Sequence, residues 1–197
     1  MKTATTFLTL AGILICLGIS RPLRAQELYQ MPAGVDSRVS SFENRNGEKG
    51  RGGLTNKSAK GNAFESLKAG ESKALLDIHT GGVIRRIWCT IDDRSPAMLR
   101  SLRLRMYWDG AAKPAVDVPF GDFFGAGLGR PVAYQSALLT NPEGRSFNCY
   151  IPMPFKRSAR IVITNESHVD LHLLFFDIDF TTALAQPSDM LYFHACW

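Results

Sequence analysis

The sequence predicts an all-β fold, an antiparallel jelly-roll β-sandwich, and three observations predict it. Seven short runs are rich in β-branched and aromatic residues. Turn-forming residues separate several of them, among them Gly81-Gly82, Asp109-Gly110, Asn141 to Gly144 and Asn165 to Ser167. No stretch longer than about ten residues carries an amphipathic helical period, so the alternating strand–helix rhythm of a parallel sheet is missing. A chain of 197 residues, 45% hydrophobic and 21% charged, suits one such sandwich with a tail and excludes a fibrous repeat or a disordered chain.

In chain order, residues 1–25 read as a signal peptide. Lys2 gives a positive start, residues 7–19 form an apolar run too short to span a bilayer, and Ala25 suits cleavage before Gln26. A lipid anchor at Cys16 would need a small residue before it, where Ile15 stands. The expectation is an exported protein, periplasmic or extracellular, with no membrane segment once the signal is removed. Residues 26–62 form a Gly/Asn-rich lead-in and loop. Its glycine spacings invite comparison with a phosphate loop, but no strand precedes them and no GKS or GKT closes them.

Residues 63–197 carry the predicted jelly roll. Its strands are expected at Ala74–His79, Val83–Ile91, Ser101–Trp108, Ala115–Val118, Phe147–Met153, Ala159–Asn165 and Val169–Phe180. Alternation is cleanest where Leu102, Leu104, Met106 and Trp108 interleave with Arg103, Arg105 and Tyr107, one set for the core and one for water. Pro152 and Pro154 predict that their segment runs at an edge or leaves the sheet. Residues 191–197 read as a further strand in which the sequence stops, so this domain is expected to be cut short at its C-terminus.

Charge and cysteines narrow the function classes. The formal charge is +5, but Lys2, Arg21 and Arg24 all precede Ala25 and no acid does, so it falls from +5 to +2 beyond the signal. With no Lys/Arg run longer than two residues, nucleic acid is excluded as a partner. Cys89, Cys149 and Cys196 remain, an odd number that allows at most one bridge. Cys89 and Cys149 sit in strand-like runs that suit small buried residues. No Cys/His spacing fits a metal, and no cofactor is expected.

Four segments stand out from a plain sandwich: Ser41 to Gly53 (SFENRNGEKGRGG), Val118 to Gly129 (VPFGDFFGAGLG), Asn148 to Phe155 (NCYIPMPF) and Tyr192 to Ala195 (YFHA). With Gly82 to Trp88 (GVIRRIW) and the Trp108-Asp109-Gly110 turn, the sequence resembles glycoside hydrolase family 172 over roughly residues 38–197. The resemblance implies jelly-roll domains in tandem, trimers or multiples of them with sites near subunit contacts, and action on glycans containing fructofuranose or arabinofuranose. Members of that family are about twice as long, and their two catalytic glutamates follow the YFHA strand. The resemblance therefore implies an N-terminal half without nucleophile or acid/base, and no catalytic residue is carried over. Cys196 also stands where a polar residue such as Gln is expected.

A retaining glycosidase needs two carboxyls about 5–5.5 Å apart, one of them held protonated. Glu43, Glu48 and Asp122 are candidates by position. Asp92-Asp93 suits a turn, and Asp177 and Asp179 suit a solvated edge or arginine partners. Asp122, between phenylalanines, suits either a perturbed or sugar-facing acid or a cap on its own glycine-rich loop.

For sugar binding the toolkit is flat aromatic faces with amides and cations. Asn44, Asn46, Lys49, Trp88, Asp122, Phe123 and Phe124 fit it as substrate-binding candidates. Trp88 also suits the core of its strand, and of Phe123 and Phe124 at least one should face outward. The function expected is an exported glycoside hydrolase-like protein. The alternative is a non-catalytic jelly roll that binds glycan or assembles with like subunits. A structural, capsid-like unit rests on fold analogy alone.

Overall fold

The computed structural model describes residues 30–183 and 186–197, so the signal-peptide expectation lies outside the described residues. The chain divides into two units, 1–32 and 33–197. Of the first, only residues 30–32 are described, and they hold no helix or strand.

The second unit is a two-sheet antiparallel sandwich of the jelly-roll class. Its strands are β1 (Val35–Ser40), β2 (Glu65–Leu67), β3 (Ser72–Ile78), β4 (Gly82–Ile91), β5 (Leu102–Trp108), β6 (Val116–Pro119) and β7 (Tyr134–Gln135). They continue as β8 (Leu139–Asn141), β9 (Phe147–Cys149), β10 (Met153–Phe155), β11 (Ala159–Asn165), β12 (Leu171–Ala183) and β13 (Ala195–Cys196). Two short helices, α1 (Pro96–Ser101) and α2 (Phe120–Phe123), interrupt the strands. The first sheet runs β1-β12-β4-β9-β8-β7, with β2 added to β12 and β10 added to β4. The second runs β13-β6-β5-β11-β3, and its one parallel pairing joins β13 to β6.

Alternation builds the core. Leu102, Leu104, Met106 and Trp108 of β5 turn inward, as do Leu174, Phe176, Ile178 and Phe180 of β12, and one cluster takes in residues from both sheets. At about 1.5–3 kcal/mol for each large apolar side chain buried, this cluster is the main source of stability. In β4 the inward residues Ile84 and Ile87 are three apart. A bulge between Asp179 and Phe180 of the partner pairs Asp179 with Arg86 and Phe180 with Ile84, which restores the phase.

The predicted strands are found with shifted ends, and two of the differences have physical reasons. Within residues 26–62, Val35–Ser40 forms β1. Its sequence is a weak strand former, but it pairs residue for residue with the long β12 from Val35↔Ala183 to Ser40↔Ile178. Phe147–Met153 divides into β9 and β10, both on β4, because the chain leaves the sheet around Pro152. Pro154 sits in β10, whose only strand partner among the described residues is β4. At the C-terminal end, only Ala195–Cys196 of the expected strand is paired.

The segment that follows β1 is held down closely. Gly47 lies at φ 58°, and a Cβ there would come within 2.7 Å of the Phe180 ring, so this turn needs glycine for conformation and for space.

Candidate functional site on the first sheet

The residues of β12 and β4 that turn away from the core make a continuous outer face. On β4 they are Arg86, Trp88 and Thr90; on β12 they are Phe175, Asp177 and Asp179. Strand register aligns them: Asp177 pairs with Trp88, Trp88 pairs with Asn148 of β9, and Asp179 pairs with Arg86. One row therefore runs carboxylate, indole, amide across three strands.

Hydrogen bonds fix this row. Arg86 donates through Nη1 to Asp179 Oδ2 (3.2 Å) and through Nε and Nη2 to Asn148 Oδ1 (3.3 and 3.1 Å). Asn148, only 4% exposed, donates through Nδ2 to the Ser146 carbonyl (2.9 Å) and to Ser146 Oγ (3.3 Å). Trp88 Nε1 donates to the same Oγ at 2.9 Å. That hydroxyl thus accepts two bonds while its own proton remains to be given, beside a hollow of about 390 Å³ that Trp88, Arg145, Ser146 and Phe175 help to line. Phe64 leans on Phe175 with ring centroids 5.2 Å apart and widens the apolar part of the face.

A second hollow, about 400 Å³, lies on the other side of Asp177, under the segment between β1 and β2. Lys60 of that segment reaches Asp177 Oδ1 at 2.7 Å. Glu43 stitches the segment together, accepting from the Gly61 N–H at 2.6 Å and the Gly53 N–H at 3.2 Å. The Gly61 bond is the main reason that its carboxyl is held below the ordinary range, against the opposing effect of desolvation. Asn44 and Lys49 line this hollow. The Asn44 side chain is already engaged with the Glu48 backbone at 3.0 Å in both directions, and Lys49 lies 3.5 Å from Asp36.

The remaining sequence candidates lie elsewhere. Asn46 lines a different hollow with Asp77, His79 and Thr80. Asp122 sits in α2 and places both oxygens on Arg100 Nη1, at 2.8 and 2.7 Å, so its main partner is a guanidinium rather than its own loop or the flanking phenylalanines. Phe124 is 1% exposed and wedged against Phe120, Phe123 and Phe147, with no face free for a ligand. Phe123 is half-buried and meets Phe193 edge-on. The pair falls at a short helix and its cap rather than in an extended strand, and Phe123 is the more accessible of the two.

Carboxylates among the described residues are held by cations or by backbone N–H groups. Asp179 is held by Arg86 and Asp177 by Lys60. Asp36, Glu43, Glu65 and Asp109 are all shifted below the ordinary carboxylate range. For Asp36 the cause is first the Arg38 bond. For Glu65 burial pushes upward but is outweighed by Arg45 and Lys73. A general acid needs the opposite shift, so none of these four is poised to protonate a leaving group.

A family model described as GH172 domain-like matches residues 57–177. The chain belongs to the GH172 domain-like family. It is thereby a glycoside-hydrolase-related protein. None of the curated proteins matches it. The GH172 match begins at the end of the β1–β2 segment and ends at Asp177, so Arg86, Trp88, Asn148 and Asp177 all fall inside it. Asn44, Asn46 and Lys49 fall before it. Sequence reading reached Trp88 but not Arg86, Ser146, Asn148 or Phe175 as its neighbours. A two-residue period puts Arg86 on the same side as Trp88, but register alone brings β12 and β9 alongside.

Proposed function

We propose that this chain is the carbohydrate-facing jelly roll of an exported glycoside hydrolase that acts on furanosidic glycans containing fructose or arabinose. The outer face of the first sheet receives the sugar, and the nucleophile and acid/base come from outside these residues. The row Asp177–Trp88–Asn148 carries this reading, with the GH172 match that contains it. Sugars offer C–H faces to an indole and hydroxyls to carboxylates and a free serine proton, and these meet here, held in place by the buried Asn148 amide. The downward-shifted carboxylates support the placement of catalysis elsewhere. Leu138 and Tyr150, both exposed and tied together by the Tyr150 N–H to Leu138 carbonyl bond at 2.7 Å, offer apolar surface for a homo-oligomer, a trimer or a multiple of one.

A second reading, a non-catalytic glycan-binding or assembly module, is favoured by the pairing of Asp177 and Asp179 with cations. Titration of the full chain with arabino- and fructo-oligosaccharides, with released sugar followed in parallel, separates the two. The expected result is binding without turnover, weakened about tenfold by Trp88→Ala, or ~1.4 kcal/mol. Binding of no furanosidic glycan, or binding indifferent to Trp88→Ala, overturns the sugar face. Turnover by this chain alone overturns the placement of the acids elsewhere.

A further inference from the structure

Another hollow, about 410 Å³, opens at the end of the second sheet, where the turn after β5 meets the segment leading into β13. Its volume lies within the range of small-ligand pockets, about 300–1,000 Å³. Trp108 is 4% exposed and is locked by the bond from its Nε1 to the Phe193 carbonyl at 2.8 Å. Together with Ala111, Pro114 and Ala115 it gives the hollow an apolar lining.

Lys113, Arg157 and His194 also line this hollow, and all three are exposed. Among the described residues none of them makes an ion pair with a carboxylate. Arg157 Nη2 donates to the Asp109 backbone carbonyl at 3.2 Å, which leaves most of its guanidinium donors unused. Asp109 is the only acid lining the hollow, and its oxygens are occupied. Oδ1 accepts from the backbone N–H groups of Lys156, Arg157 and Ser158 at 2.9, 2.6 and 3.2 Å, and Oδ2 accepts from the Tyr192 hydroxyl.

We infer that this hollow binds a small amphiphilic anion, a carboxylate carried on a flat apolar body, at a site separate from the sheet face. The apolar body gains by covering the Ala111, Pro114 and Ala115 surface beside Trp108, at about 25 cal/mol per Å² removed from water. The carboxylate gains charge-assisted hydrogen bonds from cations that have no acid of their own, and a planar carboxylate matches the fork of Arg157. A cationic ligand is less favoured, because the one carboxylate is used within the protein and Lys113 and Arg157 would repel it.

Sodium benzoate is the probe. The full chain is titrated with it at low salt and followed by amide and indole N–H resonances, with benzamide as the neutral isostere. Saturation with a Kd of about 1 mM is expected, with benzamide at least about tenfold weaker. The Trp108 indole resonance and the Lys113 and Ala115 amides should move. Lys113→Gln, an exposed residue with no partner to lose, should weaken benzoate about fivefold, the scale of one partly exposed ion pair, and Arg157→Gln should do the same. Lys156→Gln, next in sequence but outside the lining, should leave it unchanged. The inference is overturned by no saturation, by benzamide binding as well as benzoate, or by equal effects of Lys113→Gln and Lys156→Gln.

Discussion

Asp109 offers the sharpest test of how the second sheet is closed. It sits at φ 56° and Gly110 at φ 79°, with the Ala111 N–H on the Trp108 carbonyl at 3.0 Å, which is the tight Asp-Gly turn that the sequence predicts. Its carboxylate serves three backbone N–H groups and the Tyr192 hydroxyl. Asp109→Ala removes an acceptor from four donors. At about 0.5–1.5 kcal/mol net for each bond, and toward the low end because water rehydrates the exposed Lys156 and Arg157 amides, the loss is about 2–3 kcal/mol. Alanine in the left-handed region adds about 1 kcal/mol more. The expected destabilisation is therefore about 3–4 kcal/mol, read as a drop of about 1.5–2 M in the urea midpoint. Asp109→Asn keeps an acceptor and tolerates the turn, so it should cost less than half as much.

The pH dependence supplies the sign. Burial alone would push the Asp109 carboxyl up, but the Tyr192 hydroxyl and the three amides outweigh it and hold it below the ordinary 3.8. A depressed carboxyl contributes stability above 3.8 that is lost as pH falls through the folded-state value. The gap between wild type and Asp109→Asn should be constant near neutrality and narrow as pH falls below 3.8 toward the lowered folded-state value. A urea midpoint for Asp109→Ala within error of wild type refutes the reasoning, as does a gap to Asp109→Asn that does not narrow as pH falls below 3.8.

Two further outcomes follow from the same geometry. Cys89 and Cys149 are free but buried while Cys196 is exposed, and burial pushes the Cys149 thiol up to about 11. Mass-mapped alkylation at pH 8 should therefore modify Cys196 in the folded protein and reach the other two only in denaturant; fast labelling of Cys149 would contradict its placement. Glu43→Gln should loosen the segment between β1 and β2, because an amide loses the charge that draws the Gly61 and Gly53 N–H groups together. Proteolysis or amide exchange within residues 44–61 should quicken severalfold at pH 7, and wild type should approach that rate as pH falls below the ordinary 4.5 of a glutamate. Equal rates at pH 7 would count against Glu43 as the stitch.

What the sequence made legible was whatever repeats within a single strand. In β5, polar and apolar residues alternate without a break, and the inward set is the one that alternation predicts. The jelly-roll class followed from turns and from the lack of helical period. The Asp109 turn was legible for the same reason, since Asp-Gly meets a local steric need. Asp122 was harder. Its neighbours in sequence are phenylalanines, but its partner Arg100 lies on α1, a helix too short for periodicity to reveal.

The sheet face was hidden for a more general reason. Each strand states only which of its residues share a side, and pairing decides which residues of different strands share a row. Lys60 and Asp177 stand 117 positions apart and meet because β12 lies beside the segment that follows β1. A slip of one residue between β12 and β4 would set Asp177 opposite an inward isoleucine or cysteine instead of Trp88, and would turn one strand's apolar set out of the core. The cost of exposing Phe176, Ile178 and Phe180 forbids that slip, so the same apolar residues that fill the core hold the polar face in register. The candidate site is thus a consequence of core packing read from its other side. A core substitution that shifts β12, such as Phe176→Ala, should disturb the proposed glycan binding at Trp88 without touching a sugar.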